Sequence, residues 1–210
     1  MKKNILIYSA FVLGLTLSSC GDSFLDKLPD NRMEMKTTDN LKKLMVSAYC
    51  TRNPAYLLEM YSDNADEYVS AGWTARDNFQ KQAYYWQDIT ETNTDESPQN
   101  LWESYYKSID ASNEVLKDLS SVSNTSASSD EIKGEALVCR AYNMFMLTNI
   151  FCNAYDETTA KNELGLPYPY EPETKVGTQM ERGTLADVYE KIDKDLQEGL
   201  KLIGDNYDHP

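Results

Sequence analysis

Between residues 98 and 119 the apolar side chains Leu101, Trp102, Tyr105, Ile109, Leu116 and Leu119 fall on one face of a 3.6-residue repeat, a pattern an alternating strand does not produce. Ser97-Pro98 supplies a cap and a first-turn proline, so a helix is predicted from about 98 to 119. The Ser-rich stretch Ser120 to Ser129 ends it, being small, polar and without an apolar face.

The same signal recurs along the chain. Thr38 or Asp39 caps a short helix reaching about Tyr49, with Leu41, Leu44, Met45 and Ala48 on one side. Ser128 and Glu131 have capping-box spacing, and Ile132, Leu137, Tyr142 and Phe145 begin a helix apolar enough to be buried on most sides, ending near Cys152. Thr184 with Asp187 caps a last helix carrying Leu185, Val188, Tyr189, Ile192, Leu196, Leu200 and Ile203. Between these lie a looser aromatic stretch, Asn53 to Thr94, and a long excursion, Tyr155 to Arg182, punctuated by Pro167, Pro169, Pro172, Gly165 and Gly177. The expected architecture is all-α, with tetratricopeptide-like stacked antiparallel helices and long irregular loops. The repeats are degenerate, since no strict 34-residue period is present.

Lys2 and Lys3 precede an apolar run from Ile5 to Leu17. At 1.5 Å per residue that run spans about 20 Å, short of the ~30 Å hydrocarbon core, so it reads as a signal peptide. Leu17-Ser18-Ser19-Cys20 has the form of a lipobox, in which the Cys20 thiol is acylated. The expected division is a signal peptide over residues 1–19, a lipidated tether over 20–35 and a helical domain over 36–210. A lipid-anchored location follows, and Asp22 and Asp26 close to the lipid are compatible with export to an outer surface.

Of the other cysteines, Cys139 and Cys152 lie thirteen residues apart on one predicted helix, about 20 Å of rise and beyond disulfide reach. At most Cys50 bridges one of them, and three buried free thiols are the simpler expectation. His209 is the only histidine and no CxxC pair exists, which argues against zinc sites, other metal centres and His-based triads. With 34 Asp+Glu against 20 Lys+Arg the net charge is −14, so a nucleic-acid partner is disfavoured.

Four stretches together resemble the N-terminal part of the SusD/RagB-like lipoproteins of Bacteroidota. They are Cys20-Gly21-Asp22-Ser23-Phe24-Leu25-Asp26; the W-x-x-Y-x-x-x-I-x-x-x-N pattern of Trp102, Tyr105, Ile109 and Asn113; Glu135-Ala136-Leu137 with Arg140-Ala141-Tyr142 and Phe145; and Leu164-Gly165-Leu166-Pro167 followed by Arg182, Thr184, Leu185, Tyr189, Ile192, Asp195 and Leu196. The resemblance implies a surface glycan-binding lipoprotein active in polysaccharide utilisation, which delivers oligosaccharide or polysaccharide to a SusC-like TonB-dependent transporter. Family members are roughly twice this length and build their glycan site from both halves, so a truncated member, or else a shortened paralogue, is expected. Asn113 and Arg140 are expected to be structural, pairing of Glu135 with Arg140 is not assured at a spacing of five, and Arg182 is expected to bond a nearby Glu or Asp.

Sugar recognition uses aromatic faces against C–H surfaces and planar polar groups against hydroxyl rims. Trp73, Arg76, Asp77 and Asn78 offer that combination within six residues, and Trp86 beside Tyr84 and Tyr85 is a second glycan-binding candidate. The alternative is that these aromatics cap the helical core. No nucleophile motif, phosphate loop or singled-out carboxylate pair is present, so no enzyme activity, catalytic residue or cofactor is expected. The alternative function is a helical protein-interaction scaffold that docks on the transporter without a sugar site of its own.

Overall fold

The computed structural model describes residues 37–66, 78–90, 94–122, 127–175 and 177–203. Among these it forms six α-helices: α1 Thr38–Met45, α2 Ala55–Met60, α3 Asn78–Tyr84, α4 Pro98–Leu119, α5 Ala127–Phe151 and α6 Leu185–Leu202, with a 3-10 turn Val46–Ala48 after α1. There is no β-strand among the described residues, only one isolated antiparallel bridge, Leu164 with Thr184. The all-α expectation holds. The aromatic stretch after Asn53 contains α2 and α3, two short helices the periodicity did not resolve.

Local chemistry sets most boundaries. The Ser97 side chain accepts the Asn100 N–H and Pro98 fills the first turn, so α4 begins and ends where expected. Thr184 and Asp187 form a reciprocal capping box on α6. Two caps differ from expectation. Thr37, one residue earlier than Thr38, caps α1 through the Asn40 N–H, and α5 already begins at Ala127, which places Ser128 inside its first turn.

The three long helices lie side by side. Gly134 meets Gly199, Arg140 meets Asp195 and Phe145 meets Tyr189, so α5 and α6 run antiparallel. Trp102 touches Phe151 and Asn113 touches Arg140, so α4 and α5 do too. At the crossing of α5 and α6 a Cβ added to either glycine would lie 2.8 Å from the other's carbonyl oxygen. Only a glycine pair lets the backbones touch there.

Two apolar clusters share α4 and α5. One gathers Leu41, Met45, Val115, Ile132 and Ala136 under α1. The other gathers Leu57, Phe79, Leu101, Ile109, Met144, Leu147 and Val188, closing α2, α3 and α6 over the centre. Burying each large aliphatic side chain stabilises by about 2 kcal/mol. α5 is covered by its neighbours but not on all sides: Tyr142 and Phe145, expected to be buried, are 57% and 42% exposed. Cys50, Cys139 and Cys152 are free thiols, as expected, but Cys50 and Cys152 are half-buried where burial was expected; burial pushes Cys139 up to about 11.

The long excursion forms a strap whose ends are tied together. Gly165 N–H donates to the Gly183 carbonyl at 2.8 Å and Leu185 N–H to that of Glu163 at 2.8 Å. A Cβ on Gly165 would sit 2.5 Å from the Thr184 oxygen, which explains the glycine in Leu164-Gly165-Leu166-Pro167. Arg182 donates from Nε to the Gly165 carbonyl at 2.7 Å. Its recorded bond therefore tightens the neck of the strap instead of reaching the carboxylate expected of it.

Beneath the strap lies a buried polar network. Arg140 donates from Nε and Nη2 to Asp195 at 2.7 and 2.8 Å, and from Nη1 to Asn113 Oδ1 at 2.9 Å. Tyr168 Oη donates to Asp195 at 2.6 Å, and Asn113 Nδ2 donates to the Pro169 carbonyl at 3.1 Å. Burial pulls the guanidinium's pKa down, but the hydrogen bonds and charge of Asp195 more than offset this, so the net direction is up. Asn113 and Arg140 are structural, joining α4, α5, α6 and the strap. Glu135 takes Tyr49 Oη as its donor and has no share in the network.

Candidate functional site

Helix α3 is anchored by Phe79 and Ala83, both fully buried, four residues apart on its inner face. Its exit has a definite geometry. Trp86 N–H donates to the Ala83 carbonyl at 3.0 Å and Gln87 N–H to that of Gln82 at 2.8 Å, the paired bonds of a Schellman cap. That cap needs a left-handed residue, and Trp86 occupies it at φ +53°, the sole non-glycine with positive φ among the described residues. A side chain there costs about 1 kcal/mol relative to glycine. Strain of this kind persists only where the surroundings impose it.

The surroundings do so. Gln82 Oε1 accepts the Thr90 N–H at 3.1 Å and its Nε2 donates to Thr90 Oγ1 at 2.8 Å, folding the segment after Trp86 back on the helix. Tyr61, packed against the central cluster, meets the indole edge-on with centroids 4.9 Å apart and planes at 61°. The ring remains 75% exposed. It is not a cap on the core: a fixed loop holds an indole out to solvent. Tyr85, 44% exposed and braced edge-on by Tyr84 at 5.1 Å, adds a second ring with a hydroxyl. Gln87 and Asp88, both exposed, supply planar polar groups next in sequence.

Of the five glycan-binding candidates, Asn78 and Trp86 are described. Asn78 is exposed at the start of the helix that Trp86 ends, so the two are separated by about 10 Å of helix. Trp73, Arg76 and Asp77, and the lipid-attachment residue Cys20, lie outside the described residues. Tyr61, whose edge contact steadies the indole, was not singled out, because nothing in local sequence ties it to Trp86. Among the described residues no cluster of His, Cys, Asp and Glu is arranged to hold a metal ion.

These features define a class: an all-helical scaffold of stacked helix pairs, carrying an exposed aromatic on a rigid loop. Residues 23–210 match the SusD-like_3 family, described as starch-binding associating with outer membrane, and the chain belongs to that family. Its fold is similar to that of a SusD superfamily protein from Bacteroides thetaiotaomicron, with a TM-score of 0.60, 22% identity, and coverage of 79% of this chain and 37% of that one. It is also similar to a SusD-like carbohydrate binding protein from Bacteroides vulgatus, at TM-score 0.62 and 19% identity over 83% of this chain and 37% of that one. A SusD superfamily protein from Bacteroides vulgatus gives 0.58 and 18% over 83% and 39%. The chain thus spans little more than a third of the length of these solved relatives. No curated protein matches it.

Proposed function

We propose that this chain is a non-enzymatic glycan-binding lipoprotein of the outer membrane, anchored through Cys20 and delivering saccharides to a SusC-like transporter. The observation that carries the reading is Trp86: strained, clamped and three-quarters exposed, it is built to be touched by something outside the chain. An indole face offered this way suits the C–H face of a pyranose ring, with Tyr85, Gln87 and Asp88 as hydroxyl partners. The family's starch-binding description and the carbohydrate-binding title of a structural relative support the ligand class. Trp73, Arg76, Asp77 and Asn78 are proposed to contribute from the segment leading into the same helix.

Covering one face of an indole, about 80 Å², is worth about 2 kcal/mol, or roughly thirtyfold in affinity. Calorimetry with maltoheptaose is expected to show that loss for Trp86→Ala and a smaller one for Trp86→Phe, with unchanged circular dichroism. Unchanged affinity for Trp86→Ala overturns the reading. A second reading, a scaffold that docks on the transporter without a sugar site, is favoured by the exposed Tyr142 and Phe145 on α5. It predicts co-purification with an outer-membrane barrel that is lost on changing those two residues and insensitive to Trp86.

A further inference from the structure

The outer face of α4 carries a second opening. The strap passes over it and leaves a groove of about 790 Å³, within the range of small-ligand sites. The groove is formed in advance. Tyr106 Oη donates to the Pro167 carbonyl at 2.9 Å, Asn113 Nδ2 to the Pro169 carbonyl at 3.1 Å, and Glu173 N–H to Asp110 Oδ1 at 2.6 Å, so the strap from Pro167 to Glu173 is fastened to α4.

Two large rings stand in it, partly bare. Trp102 is 36% exposed although Tyr106 and Phe151 brace it at 4.9 and 5.2 Å. Tyr170 is 43% exposed, with the Arg140 guanidinium 4.7 Å from its centroid on the inner side. Because Arg140 is itself locked by Asp195, and Tyr168 packs on the Tyr170 ring at 5.2 Å, Tyr170 is held in place with part of its ring exposed. The α4 stretch from Trp102 to Asp110 that floors the groove rises about 12 Å.

The wall decides what fits. Pro167, Pro169 and Pro172 have no N–H, and the Pro167 and Pro169 carbonyls are already bonded, so the strap offers little backbone for an added peptide strand. Among the described residues Glu103, Asp110, Glu171 and Glu173 line the groove against one cation, Lys107, so anionic ligands are repelled. Of the cationic and neutral ligands this leaves, the exposed Trp102 and Tyr170 rings beside hydroxyl-bonding carboxylates suit best a neutral one with apolar faces and many hydroxyls. We infer that this groove is a second saccharide site, distinct from Trp86, which takes short neutral oligosaccharides and rejects uronic-acid or sulfated ones. The inference rests on the glycan reading above and adds a site and a charge selectivity to it.

Calorimetry of the full chain with maltoheptaose and with an oligogalacturonate of similar length tests it, with circular dichroism confirming that each variant folds. Two maltoheptaose sites are expected, one weakened about tenfold or more by Trp102→Ala or Tyr170→Ala and the other by Trp86→Ala. Oligogalacturonate should bind only after the exposed rim is reversed by Glu171→Lys with Glu173→Lys. Loss of all binding on Trp86→Ala, with Trp102→Ala and Tyr170→Ala silent, overturns the groove and leaves the Trp86 reading standing. The converse pattern sustains the groove and removes Trp86. Oligogalacturonate binding to the unaltered chain at the groove, or capture there of a lysine-rich peptide in place of sugar, overturns the inference.

Discussion

Replacing Asp195 by alanine removes the carboxylate that holds α5, α6 and the strap together. Both members of the pair are nearly inaccessible, with side-chain exposures of 5% for Arg140 and 4% for Asp195. Without Asp195 the guanidinium keeps only Asn113 Oδ1 as a hydrogen-bond acceptor, and the Tyr168 hydroxyl loses its partner. An uncompensated buried charge costs about 3–5 kcal/mol, and an orphaned buried hydroxyl about 1 kcal/mol more. Because the two share one acceptor they do not add fully, and about 4 kcal/mol is expected. With a urea slope of about 2 kcal/mol per molar, the unfolding midpoint should fall by about 2 M. Replacing both members, as Arg140→Met with Asp195→Leu, removes the stranded charge and should restore much of the loss. Urea unfolding followed by circular dichroism measures both. A fall of under about 1 kcal/mol for Asp195→Ala would show that the pair does not hold the strap and the helices together.

Three further outcomes follow from the packing. Trp86→Gly relieves the left-handed strain while losing the Tyr61 contact, so thermal stability should stay level or rise by up to about 1 kcal/mol even as sugar affinity falls; a large loss of stability would mean the indole is a core element. Gly199→Ala, which in an open helix would stabilise by about 1 kcal/mol, should here cost about 2 kcal/mol, because its Cβ meets the Gly134 oxygen at 2.8 Å and Val138 Cγ2 at 2.9 Å; a stabilised variant in thermal melts would contradict the backbone contact. Burial raises Tyr105 to about 12, and burial followed by the nearby Asp195 charge raises Tyr168, from an ordinary value of 10. Folding stability from these groups is intact below about pH 10 and falls as pH climbs through the raised values, because the unfolded chain ionises first. Phenolate absorbance should therefore show a delayed fraction that unfolding abolishes, and a single phase at the ordinary value would refute it.

What could be read in advance was what local chemistry decides. Ser97-Pro98 and the stripe after it defined α4, and Thr184 with Asp187 defined the start of α6, because caps and periodicity act over a few residues. Helices α2 and α3 escaped notice since six or seven residues with one or two anchors, Leu57 in one and Phe79 with Ala83 in the other, hold too few turns for a period to register. The network around Arg140 was out of reach for another reason. Its partners lie 27 and 55 residues away, and local spacing offered only Glu135, which bonds Tyr49. Glycines 134 and 199 look like weak points in two helices until the helices are seen to cross there. Trp86 was visible as an aromatic but not as a strained one, since left-handed caps are read from glycine or asparagine.

The account stands or falls on Trp86 meeting sugar. The chain has three tryptophans, and their indole N–H resonances, assigned through the Phe variants of Trp73, Trp86 and Trp102, report on each ring separately during a maltoheptaose titration. The account predicts that the Trp86 resonance moves and saturates with the calorimetric affinity. A Trp86 resonance that stays still while the chain binds the sugar, or no binding of maltoheptaose at all, would contradict it.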